Sequence, residues 1–124
     1  MKLVKENSAQ IDEITMYLKI YELHKSYLLC LSNKKEMGIG DVTLGTPSKI
    51  EGVKSSSSTF NLFGMHSDLI SSVVAKKSAF ILDKPVLVLF FCTADINENT
   101  FVKPLVSFLN RTLNELSKKK DNSS

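Results

Sequence analysis

Residues Val86–Phe91 read Val-Leu-Val-Leu-Phe-Phe, six apolar side chains with no polar break. Successive side chains on a strand point to opposite faces, so a strand of this composition is apolar on both. Such a strand belongs in the middle of a sheet, with material over each face. Convincing helical periodicity is confined to two segments of the chain. A helix with its side chains is roughly 10 Å wide and strands lie about 4.8 Å apart, so two helices cover about four or five strands, and on one face only. The other face is expected to be covered by something outside this chain.

The remaining elements follow from local pattern. Residues 1–12 are polar and mixed, an edge or flexible segment in which at most Leu3-Val4 starts a short strand. Over residues 13–22, Ile14, Met16, Leu18 and Ile20 alternate with Thr15, Tyr17, Lys19 and Tyr21, the period of a half-buried strand. A second run, Ser26–Ser32, follows. A two-residue turn at His24-Lys25 places Ile20 opposite Leu29, Leu18 opposite Leu31, Tyr21 opposite Leu28 and Lys19 opposite Cys30. One face of this hairpin is then aliphatic, and the other carries Tyr17, Lys19, Tyr21, Leu28 and Cys30. A slip of one residue would scramble both faces.

Residues 33–40 read as a loop and 41–44 as a short strand bounded by Gly40 and Gly45. Residues 46–58, with Pro47, Gly52 and the serines 55–58, read as a long mobile loop or a ragged edge. Residues 59–63 give another short strand, closed by Gly64. A first helix starts at an N-cap at Ser67 or Asp68, with Leu69, Ile70, Val73 and Val74 as its apolar stripe and Phe80 and Ile81 extending it. The second helix spans 100–117 and buries Phe101, Val102, Leu105, Phe108, Leu109, Leu113 and Leu116. Pro104 falls in its first turns, where a missing N–H costs least. Residues 118–124 form a basic, disordered tail.

The chain's 124 residues fit one domain. The net charge is +3, much of it in Lys118-Lys119-Lys120, which reads as a solvated tail rather than a nucleic-acid patch. The longest apolar run is too short to span a bilayer. Residues 1–7 are charged and lack the apolar core of a secretory signal. Cys30 and Cys92 sit in strand-like runs and read as free thiols of a reducing compartment, so the expected location is the cytoplasm or the nucleus.

Catalytic chemistry is hard to assemble from these residues. The Gly38–Gly45 stretch lacks the Gly-Lys-Ser/Thr ending of a phosphate loop and precedes a strand, so it reads as turn and strand. The serines at 55–58 have no histidine base placed beside them. His66 near Asp68 reads as a helix-entry pair, and His24 and His66 have no zinc-like spacing with the two cysteines. Neither cysteine has a basic sequence neighbour to lower its pKa. Acidic pairs such as Asp12/Glu13 and Asp95/Glu98 sit at element ends, where carboxylates cap or solvate. The expectation is a binding protein without catalytic, metal or cofactor residues.

Several stretches resemble the proteasome assembly chaperone 4 family. Residues 14–31 look like its opening hairpin, and 41–44 take the place of its small-residue strand. Ser58-Thr59-Phe60-Asn61-Leu62-Phe63-Gly64 is similar to its Ser-Thr-x-x-Leu-x-Gly strand. Ala75-Lys76-Lys77 resembles the end of its first helix, residues 85–91 its core strand and 101–116 its last helix. The resemblance covers residues 13–117, while the family's N-terminal strand reads as short or missing here and the 46–58 loop as expanded. It implies a non-enzymatic chaperone that pairs, sheet against sheet, with a related subunit, proteasome assembly chaperone 3, and promotes formation of the α-ring of the 20S core particle by holding α-subunits. A homodimer in isolation is a further form such a chain could take.

The expected fold is α+β, a single antiparallel sheet of five to six strands with two helices on one face and the other used for dimerisation. The aliphatic hairpin face is expected to meet the helices; Tyr17, Lys19, Tyr21, Leu28 and Cys30 are the candidate interface residues. Which side of the 86–91 strand meets the helices is open at this point. The competing readings are a dimeric trafficking adaptor of the roadblock or longin kind, and a small enzyme using residues 46–58 as a lid.

Overall fold

The computed structural model describes residues 1–47, 56–61 and 68–122. In chain order the elements are β1 (Lys2–Ile11), β2 (Ile14–Leu23), β3 (Ser26–Ser32), β4 (Asp41–Thr46), β5 (Ser56–Asn61), α1 (Asp68–Leu82), β6 (Val86–Phe91) and α2 (Glu98–Asn122). The six strands form one sheet in the order β1-β2-β3-β6-β4-β5, with the apolar run Val86–Phe91 inside it.

The β2–β3 hairpin has the expected register: Leu18 pairs Leu31, Ile20 pairs Leu29, Tyr21 pairs Leu28 and Lys19 pairs Cys30. Lys25 takes a φ of 54° in the connecting turn. The sheet is mixed rather than wholly antiparallel, because β3 and β6 run parallel. The cause is a crossover. β5 and β6 are both antiparallel to β4, so they share a direction, and α1 carries the chain from the end of one to the start of the other. β6 then fills the place between β3 and β4, and the 33–40 loop that joins those two strands must pass the end of β6. Asn33 N donates to Phe91 O at 3.4 Å as it does so.

β1 is a ten-residue strand, longer than the start at Leu3-Val4 that the sequence suggests, so the N-terminal strand is neither short nor missing. It pairs with β2 around a two-residue turn in which Asp12 and Glu13 have φ of 49° and 68°. Two successive positive φ values suit the right-handed twist of the flanking strands. Its inner face is tied to α2: Asn7 Nδ2 donates to Thr112 Oγ1 at 3.1 Å, and Lys5 Nζ lies 2.9 Å from Glu115 Oε2.

Both helices lie on one face. Val86, Val88 and Phe90 of β6 are fully buried there, together with Met16, Leu18, Ile20, Leu29 and Leu31. The aliphatic hairpin face thus meets the helices. α2 buries Phe101, Leu105, Phe108, Leu109, Leu113 and Leu116, with Val102 packed partly against the core. Asn97 begins it, its carbonyl accepting from Phe101 N at 2.9 Å and its side-chain oxygen from Asn99 N at 3.1 Å. The helix continues through Asn122, past the expected end at residue 117.

α1 departs from its expected stripe. Ile70, Ser71, Val74, Ala75, Ser78 and Ala79 are buried, whereas Leu69 is 50% and Phe80 74% exposed. The reason is the closeness of α1 to β4. A Cβ added at Gly45 would lie 2.4 Å from the carbonyl oxygen of Ala75, so the two backbones nearly touch and only small side chains fit between them. Ser71 Oγ also donates to the buried Asp41 Oδ2 at 3.2 Å, near the start of the helix. Of the expected 46–58 loop, Thr46 ends β4 and residues 56–58 lie in β5. Residues 48–55, including Gly52 and Ser55, fall outside the described residues, as do His66 and the N-cap candidate Ser67.

Candidate protein-interaction face

The face of the sheet opposite the helices is built from the alternate residues of the same strands. β6 turns Leu87, Leu89 and Phe91 to this side, each half-buried where its neighbours Val86, Val88 and Phe90 are buried. Strand register lines these up with the other strands in rows. Tyr21 pairs Leu28, Leu28 pairs Leu87 and Leu87 pairs Leu44. The next row runs Lys19, Cys30, Leu89, Val42, and the third runs Tyr17, Ser32, Phe91. The rows are about 14 Å wide from β2 to β4 at ordinary strand spacing.

β4 carries its larger apolar residues on this face. Its buried, helix-facing residues are Asp41, Thr43 and Gly45, while Val42 is half-buried and Leu44 is 46% exposed on the open side. A strand with one wetted face normally turns its polar residues to water. Here the apolar ones face out, continuing the rows from Leu87 and Leu89.

The chain shields part of this face itself. The ring of Phe91 lies against Gly38, where an added Cβ would be 2.8 Å from the ring. The 33–40 loop therefore roofs the third row. Beside it a cleft of about 610 Å³ is lined by Glu6, Asn7, Ser8, Tyr17, Lys19 and Lys35. The first two rows stay uncovered among the described residues. The β1 edge is protected against further strand pairing: it carries Lys2 and Lys5 and a register irregularity between Leu3 and Lys5.

All five residues picked from the sequence, Tyr17, Lys19, Tyr21, Leu28 and Cys30, lie on this face and are half-buried. Leu87, Leu89, Val42 and Leu44 complete it and escaped sequence reading. Both sides of β6 are apolar, so alternation gives no vote there. The pairing of Cys30 with Leu89 and of Leu89 with Val42 is the missing information.

The cysteines are free thiols. Burial pushes the Cys30 thiol up, offset in part by the charge of Lys19. Burial also pushes Cys92 up, and its thiol donates a hydrogen bond to Ala94 O at 3.4 Å. A raised pKa leaves little thiolate near neutral pH, the opposite of an activated nucleophile. Among the described residues no group of three or more His, Cys, Asp or Glu side chains could hold a metal ion, and no helix is long and apolar enough to cross a membrane.

This geometry defines a class: an α+β domain whose mixed sheet is covered by helices on one side and left apolar on the other. No protein-family model matches the sequence, and no curated protein matches it. A solved structure does share the fold. The chain is similar to a chain from the crystal structure of a novel chaperone complex for yeast 20S proteasome assembly, at 16% identity and a TM-score of 0.53, over 95% of this chain and 98% of that one.

Proposed function

We propose that this protein is a non-enzymatic chaperone of 20S proteasome assembly, pairing through the open face of its sheet with a related chaperone subunit and promoting α-ring formation. The observation that supports this most is the pair of uncovered, mostly apolar rows across β2, β3, β6 and β4, on a fold shared end to end with a chain of a proteasome assembly chaperone complex. Burying such rows against a second sheet is favourable at about 25 cal/mol per Å² of apolar surface, and aromatic residues such as Tyr21 are enriched in interface cores. The pair would then hold a proteasome α-subunit as its client. The free thiols fit a reducing compartment, the cytoplasm or nucleus.

The test is co-purification of the tagged full chain, wild type against Leu87→Asp. Leu87 lies in the middle of the first row and outside the core, so the variant is expected to keep its fold by circular dichroism. The wild type should recover a second small α+β protein together with 20S α-subunits, and L87D should lose both. Recovery of small GTPases or coat subunits in their place would support the adaptor reading. Undiminished recovery by a folded L87D variant would refute the assigned face.

A further inference from the structure

We propose that the outer side of α1 is a docking site for an amphipathic helix of a second protein, one whose apolar stripe is flanked by carboxylates. Leu69, Val73 and Phe80 are the anchors, and Lys76 and Lys77 supply the charge. The site lies on the side of α1 away from the sheet. It is separate from the open face and does not depend on the function proposed for that face.

α1 reverses the usual arrangement of a surface helix, which sends its large apolar side chains to the core and its polar ones to water. The close approach at Gly45 fills its buried side with Ser71, Ala75, Ser78 and Ala79 beside Ile70 and Val74. Its outer side carries the exposed Leu69 and Phe80, with half-buried Val73 between them. At helical spacing these three fall within about 40° of one another, a straight line about 17 Å long. A single exposed apolar residue needs no explanation, but a contiguous set marks a contact surface. A straight stripe of helical period is matched by the same period on another helix. Phe80, an aromatic side chain at one end of the line, suits the role of anchor.

Charge decides which kind of helix fits. Lys76 falls on one flank of the stripe and Lys77 on the other, and both are exposed. Neither makes an ion pair among the described residues. Asp68 starts the helix and Asp83 follows its end, and no carboxylate lies between them. The lysines stand in the middle of the helix rather than in its last turn, so its dipole does not account for them. They favour a partner that brings Asp or Glu to each side of its apolar line. An anionic membrane fits less well, because its usual sequence sign is a cluster of about four to eight basic residues.

The test is fluorescence anisotropy of the full chain against two labelled synthetic amphipathic peptides, each about 20 residues so that a helix can form. Both carry the same leucine stripe; one flanks it with glutamates and the other with lysines. The acidic peptide should bind at least about tenfold more tightly than the basic one. Phe80→Ser should weaken it at least about tenfold, and Leu69→Ser should weaken it as well. Both side chains are exposed, so the thermal midpoint should hold in each variant. The double variant Lys76→Glu/Lys77→Glu should reverse the order of the two peptides. L87D, on the open face, should bind like wild type. The inference is overturned if neither peptide binds, if both bind alike, or if the charge-swapped variant keeps the wild-type preference. Loss of binding in L87D with F80S unaffected would place the site on the sheet and overturn it too. Binding to phosphatidylserine vesicles that F80S abolishes, without binding of the acidic peptide, would make the stripe a membrane contact and also overturn it.

Discussion

The two faces of this sheet are cut from the same strands and obey different rules. On the helix side, Phe90, Val88 and Val86 are sealed under α1 and α2, and β4 contributes Asp41, Thr43 and Gly45. On the open side, Leu87, Leu89, Val42 and Leu44 form continuous apolar rows with no helix above them among the described residues. Judged by composition at β4 alone, the open side would be taken for the core. The contrast teaches that the buried side of a strand is chosen by what packs on it. α1 comes so close that small and polar residues suit the inside, and the larger aliphatic groups lie on the open side.

The sharpest way to break this comparison is to truncate neighbours on one strand. Phe90→Ala should cost the isolated chain about 3–5 kcal/mol, the usual range for a fully buried phenylalanine. Leu89→Ala, one residue away and less deeply buried, should cost less, about 2 kcal/mol, because part of its side chain stays in contact with solvent. Urea unfolding of the two variants gives the comparison, and equal costs would mean that the faces are equivalent in the free protein.

A smaller effect separates the faces at β4. Gly45→Ala drives a methyl group into the Ala75 carbonyl and should destabilise by about 1–3 kcal/mol, the range for overpacking. Leu44→Ala on the open side should leave the thermal midpoint almost unchanged. A Gly45→Ala variant as stable as wild type would show that α1 can lift from the strand at no cost.

The smallest effect concerns the contact of β1 with α2. The hydrogen bond and charge of Lys5 hold the Glu115 carboxyl below its ordinary range. A carboxyl whose pKa is lower folded than unfolded contributes stability above its unfolded pKa and loses it as pH falls through the folded one. Glu115→Gln should therefore flatten a slight loss of stability in the acid range below about pH 4.5. The difference should shrink in high salt, because the pair is solvent-exposed. An unchanged acid limb in that variant would remove the pair from the account.

Much of the covered face was legible in the sequence. Residues 14–32 carry an aliphatic set and an amphipathic set in strict alternation, so one register satisfies both, and the hairpin forms with that register. The stripe of α2 was equally clear, because its leucines and phenylalanines recur at helical spacing on one side. The rest was hidden for physical reasons. β1 is mostly polar and turns at Asp12-Glu13 without a glycine, so neither alternation nor turn chemistry marks it. The buried side of α1 was misread because periodicity weighs Leu69 and Phe80 above Ser71 and Ala75, and knows nothing of the approach at Gly45. The partition of β6 depended on its pairing with β3 and β4, a long-range fact that a strand apolar on both sides does not encode locally.

Cys30 sits in the centre of the open face, and Cys92 is buried in the same chain, giving a reporter and a reference. The most direct measurement is the alkylation rate of each thiol in the isolated full chain and in the complex that co-purifies with it, read by mass spectrometry. If the face is completed by a second protein, Cys30 should react at least about tenfold more slowly in the complex, because the thiol is removed from solvent, while Cys92 keeps its rate. A Cys30 rate that is the same in the complex and in the free chain would contradict the account.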